Sequence, residues 1–368
     1  MPDSHNSIFL FYELLRVALG NQEKLSRKPS EKEWQWLYEM SQRQTVVGVT
    51  FIALERLSTN NQRPPQNLLY EWIGNSHQIK RQNELLNKQC CELTTMFLDA
   101  GFRSCILKGQ GNALLYEKPD SRTSGDIDVW LEGDKKDIER FVRSRFPDVK
   151  DETLHFDFPI FNNVPVEIHY KPQYLSSPKY DRRLQQYLSS IADEQFCHKV
   201  TLLNTDSAIC IPTPEFNVVQ QLAHIIGHFF HGGIGMRHLI DYYYVMVTLD
   251  SIGKNKDFTS ILKSLGLLKF ASGLMWVLQE TLGLQDKYLI VEPSEQVGYI
   301  ILNEISAGGN FGRYKSEKYS LKGKSLFGKA MVFAKRQYRM FSIFPAEAVW
   351  QMIDVFIHVV KKYVLKQK

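Results

Sequence analysis

Residues 107–130 read LKGQGNALLYEKPDSRTSGDIDVW. The stretch opens with a Lys-Gly turn, continues with turn-forming residues, and leads into a segment, 126–131, that alternates polar and apolar side chains. A period of two is typical of a half-buried strand. Aspartate is rare in strands, because its short side chain hydrogen-bonds to the local backbone and competes with strand pairing. Asp126 and Asp128 therefore indicate a strand with a functional face, and the apolar residues between and after them fill the opposite face.

Asp126 and Asp128 project from the same face of this strand, and their carboxylates repel each other when both are ionised. A divalent cation relieves the repulsion, and Mg²⁺ suits the site because it takes one or two carboxylates and completes its shell with water and phosphate oxygens. The alternative is a solvent-facing strand with two surface aspartates. Glu167 favours the metal site, since it shares a face with His169 in a second predicted strand, VPVEIHY. If the two strands are neighbours, three carboxylates converge on one or two Mg²⁺ ions.

A glycine turn precedes the two aspartates. Lys108 and Gly109 lie where a short apolar run, SCIL, ends and a short helix is predicted to begin. Such a turn offers backbone N–H groups to a phosphate, and Lys108 adds a positive charge. Arg122 lies four residues before Asp126, where it pairs either with phosphate or with an aspartate. We predict that Lys108, Gly109 and Arg122 bind a nucleotide.

Together these motifs resemble the DNA polymerase β-type nucleotidyltransferase superfamily, in which a glycine turn precedes an Asp-x-Asp/Glu pair and a third carboxylate lies on a later strand. LKG, SRTSGDIDVW and VEIHY are more closely similar to a bacterial family of uncharacterised nucleotidyltransferase-like proteins. Residues 214–245, PEFNVVQQLAHIIGHFFHGGIGMRHLIDYYYV, resemble that family's helical segment. The similarity covers about residues 30–250. It implies transfer of a nucleoside monophosphate from a nucleoside triphosphate to a hydroxyl acceptor.

The resemblance also implies roles for individual residues. Asp126, Asp128 and Glu167 are the expected catalytic and metal-binding carboxylates, and Glu167 or His169 is expected to assist removal of the acceptor proton. Gln110 departs from the superfamily, which usually has Ser or Gly after the turn glycine. This departure supports a rival hypothesis, a non-catalytic binding protein that retains the fold. The expected border of the substrate cleft consists of His169, His224, His228, Arg237 and Asp241.

The periodicity divides the chain into a helical, a mixed and a second helical part. We predict an N-terminal helical region over 1–98, a nucleotidyltransferase-like α/β core over 99–212, and a helical domain over 213–307. A basic C-terminal helical segment is predicted over 308–368, with its last helix from Pro345 to Lys366. The predicted class is α+β, with a small mixed sheet flanked by helical regions.

Local signals mark helix starts and turns. Ser30 and Glu33 form a capping-box signature ahead of one long helix with a break near Gly48. Thr213 and Pro214 are the expected N-cap and first residue of another helix. The strand-like segments HFDFPIF and VPVEIHY flank Asn-Asn, which predicts a tight hairpin, and KVTLL and AICI flank NTDS in the same way.

A histidine series follows in the second helical part. His224, His228 and His231 are spaced by four and three residues and share one helix stripe. An i, i+4 pair can chelate zinc, but the Glu of the zinc-protease motif H-E-x-x-H is absent and no cysteine offers an obvious fourth ligand. We therefore favour histidines at a domain interface that bond to groups such as Asp241. A zinc protein centred on His224 and His228 is the less favoured alternative.

Composition limits the remaining classes of protein. Hydrophobic residues make up 43% and charged residues 23% of the 368 residues, which excludes a disordered chain. No apolar run approaches the ~18–20 residues that cross a bilayer. The apolar run near the N-terminus is broken by Glu13 and Arg16, so a signal peptide is not expected. The five cysteines lack framework spacing, which predicts reduced thiols in a cytoplasmic protein.

The charge is unevenly distributed. Residues 311–368 carry 13 Lys and Arg against three acidic residues, a local charge of +10 within a net charge of +5. A polyanionic partner or an anionic membrane surface would explain this, but the preferred interpretation is a solvated basic face on a segment that packs on the body or on a partner subunit. The expected partners are a nucleoside triphosphate and an unknown acceptor, either a small molecule or a protein. Specific nucleic-acid binding is not expected.

Overall fold

The computed structural model describes most of the first 308 residues and a few positions between 338 and 353. The basic segment predicted over 308–368, with its last helix, falls almost wholly outside the described residues. Within the described part, no helix is both long and apolar enough to cross a membrane. The described ranges are 4–58, 61–149, 152, 154–231, 233–253 and 257–308, then 338, 340–341, 343–346, 348–350 and 352–353.

Four helices precede the sheet: α1 Ser4–Ala18, α2 Glu31–Arg43, α3 Val47–Leu57 and α4 Gln66–Asp99. The predicted capping box is confirmed at the start of α2, where the N-cap serine accepts from the backbone N–H of the third helical residue and the glutamate there accepts in return.

The long helix predicted across Gly48 is divided, but the break lies at residues 44–46, where Thr45 adopts a φ of 56°. The predicted break near Gly48 is therefore a few residues too late. Gly48 lies inside α3 because a close approach to Ser121 requires it, since a Cβ there would lie 2.3 Å from the Ser121 carbonyl oxygen.

The central sheet has four short strands: β1 Ser104–Leu107, β2 Ile127–Leu131, β3 His155–Asp157 and β4 Val166–His169. Their order is β1-β2-β4-β3. β1 runs antiparallel to β2, β2 runs parallel to β4, and β4 runs antiparallel to β3. The α+β class with a small mixed sheet is confirmed. The two carboxylate-bearing strands are direct neighbours, as convergence of their side chains requires.

The two predicted hairpins have different outcomes. β3 and β4 pair antiparallel, but residues 158–165 connect them, so the two-residue turn at Asn162 and Asn163 is wrong. Pro159 and Pro165 lack the N–H that a longer ladder needs. The second hairpin is confirmed as β5 Lys199–Thr201 paired with β6 Ala208–Cys210.

The two faces of the sheet pack against different helices. The apolar face shares a core cluster with α4 and with α6 Lys135–Arg145, through residues such as Val129, Phe97 and Val142. The opposite face is also covered, because Trp130 stacks on Phe216 with ring centroids 5.7 Å apart. Every residue of β2 is buried, so the strand predicted to be half-buried is buried on both sides. The aspartate face is therefore the interior of a cleft rather than a solvent face.

Further helices are α5 Gly109–Ala113, α7 Pro178–Ser190, α8 Ala192–Cys197, α9 Pro214–His231, α10 Met236–Ile252, α11 Phe258–Ser264, α12 Leu268–Leu282 and α13 Glu295–Gly308. Of these helices, α9 and α10 cover the carboxylate side of the sheet. α5 is a short helix after β1. Thr213 immediately precedes α9, and its hydroxyl accepts from the Phe216 N–H at 3.4 Å. This contact confirms the predicted N-cap.

Candidate active site

A cleft of about 410 Å³ separates the polar face of the sheet from helices α9 and α10. We call its two sides the sheet wall (Lys108, Asp126, Asp128, His155, Glu167 and His169) and the helical wall (His224, His228, Arg237 and His238). The structure brings eleven of the residues proposed from sequence to this cleft. They are Lys108, Gly109, Arg122, Asp126, Asp128, Glu167, His169, His224, His228, Arg237 and Asp241.

Strand register brings the three carboxylates together. Asp128 of β2 is the direct partner of Glu167 in β4. Neighbouring strands lie ~4.8 Å apart, and partner residues project from the same face. Asp126 immediately precedes β2, two residues before Asp128, so it lies at the same end of the sheet. The register therefore places all three carboxylates at one end of the sheet.

Asp128 is buried between two cationic or ionisable side chains. Its Oδ2 lies 3.1 Å from the Lys108 Nζ, and its Oδ1 lies 2.8 Å from the His169 Nε2. Burial alone would raise the pKa of Asp128, but the Lys108 charge and the bond to His169 outweigh burial and hold that pKa well below its usual range. Burial likewise opposes the charge on His169, yet its hydrogen bonds to Asp128 and Glu167 raise the His169 pKa.

The backbone at Lys108 is strained. Its φ of 49° and ψ of −128° place a residue with a side chain in a region that favours glycine, at a cost of about 1–3 kcal/mol. This turn follows Leu107, which is the register partner of Asp128 in β1. This backbone conformation accompanies a contact between the Lys108 ammonium and the Asp128 carboxylate. The sequence had predicted that Lys108 contacts a phosphate.

Asp126 and Glu167 complete the acidic set in different surroundings. Asp126 is exposed at the cleft, and the charge of Asp128, followed by desolvation, raises its pKa. The Glu167 Oε2 lies 3.3 Å from the His155 Nδ1 and 3.5 Å from the His169 Nε2. His155 was missed by sequence reasoning. The alternation of HFDF carried a signal, but its use requires the register that pairs His155 with His169.

Arg122 forms a buried ion pair with Asp241 of α10. The Nε and Nη2 atoms each donate to one Asp241 oxygen at 2.8 Å, and the Tyr116 hydroxyl donates to Oδ1 at 2.6 Å. Burial opposes the Asp241 charge, but Arg122 holds the pKa of that carboxyl below its usual range. Of the two partners considered for Arg122, the structure shows an aspartate. The carboxylate that was expected to serve the histidines is satisfied by Arg122 and Tyr116.

The helical wall carries a cluster of imidazoles. His224 and His228 lie one turn apart on α9 with ring centroids 4.4 Å apart, and His238 of α10 lies 5.8 and 5.5 Å from them. Burial is the main cause that lowers the pKa of both His224 and His238, with nearby cations adding to it. His238 was missed, because the predicted third member was His231, whose side chain lies outside the described residues.

Two further contacts fix the surroundings of the cleft. The Arg237 Nη1 donates to the Thr123 carbonyl at 3.0 Å, which joins α10 to the loop before β2. Gln110 is buried, and its amide donates to the Asn87 side chain and to the Asn83 carbonyl on α4. The residue that departs from the superfamily turn therefore anchors that turn to α4 and does not line the cleft.

A family model described as "Uncharacterised nucleotidyltransferase" matches residues 30–283. The chain belongs to this family. The matched range includes the sheet, α9 and α10, so both walls of the cleft lie within the nucleotidyltransferase unit.

The other comparisons add little to the family assignment. No curated protein matches this nucleotidyltransferase. Among solved structures, an antigenic nucleotidyltransferase-like protein from Paracoccidioides brasiliensis is similar at 12% sequence identity and a TM-score of 0.35. The similarity covers 58% of this chain and 96% of that chain.

Proposed function

We propose that the chain is a Mg²⁺-dependent nucleotidyltransferase of the DNA polymerase β type, which transfers a nucleoside monophosphate from a nucleoside triphosphate to a hydroxyl acceptor. The observation that carries the proposal is the register of Asp128 beside Glu167, with Asp126 at the same end of the sheet and all three in one cleft. Membership of the nucleotidyltransferase family supports it.

The residues present fit a magnesium site. Asp126, Asp128 and Glu167 supply the hard oxygen ligands that Mg²⁺ prefers. The Lys108 ammonium lies 3.1 Å from Asp128, so this wall already attracts a cation. The three carboxylates would hold the ion, and the ion, when bound, would supply charge for the triphosphate and for the attacking and leaving oxygens.

The side chains of the sheet wall then have separate tasks. Lys108, once released from Asp128, is placed to offset phosphate charge as that charge shifts in the transition state. The acceptor oxygen forms a bond to the α-phosphorus, the bond from the α-phosphorus to the bridging oxygen breaks, and pyrophosphate leaves. The acceptor proton passes to Glu167 or His169, which are both in the cleft. Arg122 acts as a positioning residue, because its guanidinium is bound to Asp241.

The acceptor is proposed as a small molecule or a protein side chain. The cleft volume of about 410 Å³ lies within the range of small-ligand sites, and its lining mixes charged, imidazole and amide groups. We propose no specific nucleic-acid acceptor, since Tyr174 is the one Phe, Tyr or Trp side chain in the described lining of the cleft, which leaves no extended platform for stacking bases.

A second candidate is a binding protein without catalysis. Two observations favour it. Lys108 and His169 contact both oxygens of Asp128, and Gln110 is directed to α4 instead of to the cleft. A nucleotide would then bind without a metal, or would not bind at all.

Calorimetry with each nucleoside triphosphate, with and without Mg²⁺, separates the two candidates. We expect Mg²⁺-dependent binding to the unchanged chain and its loss in Asp128→Asn, and circular dichroism establishes that the variant, which weakens the contacts of Asp128 with Lys108 and His169, is still folded. Asp134→Asn is the matched control, because Asp134 is exposed and its side chain makes no capping bond to α6. Binding that ignores Mg²⁺ would contradict the enzyme and support the second candidate.

Transfer itself is tested with a triphosphate labelled at the α-phosphorus. The label should appear on an acceptor when cell fractions are added to the unchanged chain, and pyrophosphate should be released in equal amount. Label at the γ-phosphorus should not be transferred. Transfer of the γ label would contradict nucleotidyl transfer and show that the chain transfers a phosphoryl group instead.

A further inference from the structure

The helical wall holds three imidazoles that no step of the proposed transfer uses. One nitrogen from each of His224, His228 and His238 lies within 4.8 Å of the others. Two come from successive turns of α9 and the third comes from α10, so two rigid elements define the cluster. All three side chains line the same cleft as the carboxylates.

We propose that His224, His228 and His238 bind one divalent transition-metal ion of the zinc type, at a site separate from the carboxylates. Imidazole nitrogen is a preferred ligand of Zn²⁺, whereas Mg²⁺ prefers oxygen ligands. Three histidines leave one of the four tetrahedral positions for a water molecule or a substrate oxygen. The site does not depend on the proposed nucleotidyl transfer.

The cleft leaves room for that fourth ligand. Gly227 lines the cavity between His224 and His228 in sequence, and a Cβ at this position would meet nothing within 4 Å. The open space beside the cluster is continuous with the space in front of the carboxylates, because one cavity contains both. The ion would therefore face a molecule bound in the cleft and polarise an oxygen or nitrogen atom of that molecule.

The three histidines should differ in how strongly each one binds the metal ion. The Gly235 N–H points at the His238 Nδ1 at 3.4 Å, so a metal ion has to compete with this contact. If His238 binds the metal ion through Nε2, the ring proton lies on Nδ1, and Nδ1 can no longer accept from the Gly235 N–H. If His238 binds the ion through Nδ1, the ion takes the place of the Gly235 N–H. His224 and His228 share one helix at the chelating i, i+4 spacing, and they should carry more of the affinity than His238.

A second group in the cleft competes for the same ion. One ligand atom from each of His155, Glu167 and His169 also lies within 4.8 Å of the others. Its His169 Nε2, however, is 2.8 Å from the buried Asp128 carboxylate. A transition metal there would have to break the hydrogen bond between His169 and the Asp128 carboxylate. Hydrogen bonds to a charged group are among the stronger hydrogen bonds in proteins.

Cobalt titration without nucleotide or Mg²⁺ tests the site, because tetrahedral Co²⁺ absorbs visible light strongly. We expect one Co²⁺ per chain, displaced by Zn²⁺. His228→Gln and His224→Gln should each weaken binding at least tenfold, and His238→Gln should weaken it less. His155→Gln is the matched control and should leave the titration unchanged.

Each other outcome overturns the site. Loss of the spectrum in His155→Gln with retention in His228→Gln would move the ion to the sheet wall. Absence of stoichiometric binding by the unchanged chain would remove the site altogether. Circular dichroism melts establish that each variant is folded, and His224→Gln gives the same reading if His228→Gln does not fold. Because nucleotide is absent, failure here leaves the Mg²⁺-dependent proposal to its own test.

Discussion

The two walls of the cleft reach their polarity by different means. The sheet wall is a set of neighbouring charges, in which Lys108 and His169 contact the buried carboxylate of Asp128. The helical wall is a cluster of imidazoles, and burial lowers the pKa of His224 and His238. Strand alternation and register order the first wall, whereas the packing of two helices assembles the second. One cleft therefore offers hard oxygen ligands on one side and softer nitrogen ligands on the other.

The buried ion pair between Arg122, in the loop before β2, and Asp241 of α10 joins the two sides of the cleft. We expect its loss to lower the free energy of unfolding more than any other change considered. Asp241→Ala leaves the buried Arg122 guanidinium without its carboxylate, and breaking a buried pair costs about 3–5 kcal/mol. We expect a loss of this size in the free energy of unfolding measured with urea. The double variant Arg122→Met with Asp241→Leu should recover most of it, because apolar side chains replace both charges.

A surface pair supplies the control for this loss. Arg103 and Glu132 form an exposed ion pair, with about 42% and 43% of their side-chain surfaces accessible. Glu132→Ala should cost no more than about 1 kcal/mol. Equal losses in Glu132→Ala and Asp241→Ala would show that burial does not set the strength of the connection.

The charge balance of the sheet wall is tested at Lys108. Lys108→Met removes the ammonium from Asp128, and loss of a hydrogen bond to a charged group costs about 3 kcal/mol. We expect a lower melting temperature without metal and a larger Mg²⁺-induced rise than in the unchanged chain, since the ion replaces the lost charge. Thermal melts with and without Mg²⁺ measure both. A variant that melts normally and ignores Mg²⁺ would refute the carboxylate site.

The fit of α3 against the loop that carries Arg122 should produce a smaller effect. Gly48→Ala places a Cβ 2.3 Å from the Ser121 carbonyl oxygen, and overpacking of this kind costs about 2 kcal/mol. Gly74→Ala in α4 is the control, because its Cβ meets nothing within 4 Å and alanine favours a helix. Urea unfolding should show a loss for the first variant and a gain for the second. A gain at both positions would contradict the close approach.

The smallest expected effect is the opposite response of the two walls to pH. The raised pKa of His169 stabilises the fold in full below its unfolded value of ~6.5, and this contribution is lost as pH rises through the folded pKa. The lowered pKa of His238 stabilises the fold above ~6.5, and this contribution is lost as pH falls towards the folded pKa.

Variants separate the two responses. His169→Gln should flatten the alkaline side of the stability profile of the metal-free chain, and His238→Gln should flatten the acidic side. Unfolding free energies at several pH values, with histidine NMR titrations, measure both. Flattening on the same side by both variants would remove the distinction between the walls.

Much of the sheet wall was readable before the fold was known. The alternation in residues 126–131 assigned Asp126 and Asp128 to one face, and the same period placed Glu167 with His169. These inferences hold because a strand's two-residue period acts locally. The α+β class followed from changes of period along the chain. The prediction of a tight turn between β3 and β4 was wrong, because the connection is longer and contains two prolines and the buried Phe158.

Sequence alone established the local devices of this protein: the acidic strand face, the Lys-Gly turn and the capped helix starts. Tertiary structure decided which distant groups meet. Arg122 finds Asp241 119 residues away, and His238 joins His224 and His228 only because α10 packs on α9. Capping and strand alternation depend on neighbours a few residues apart, whereas these contacts depend on how buried apolar faces pack. Side-chain pattern carries the first kind of information, and only the assembled core carries the second.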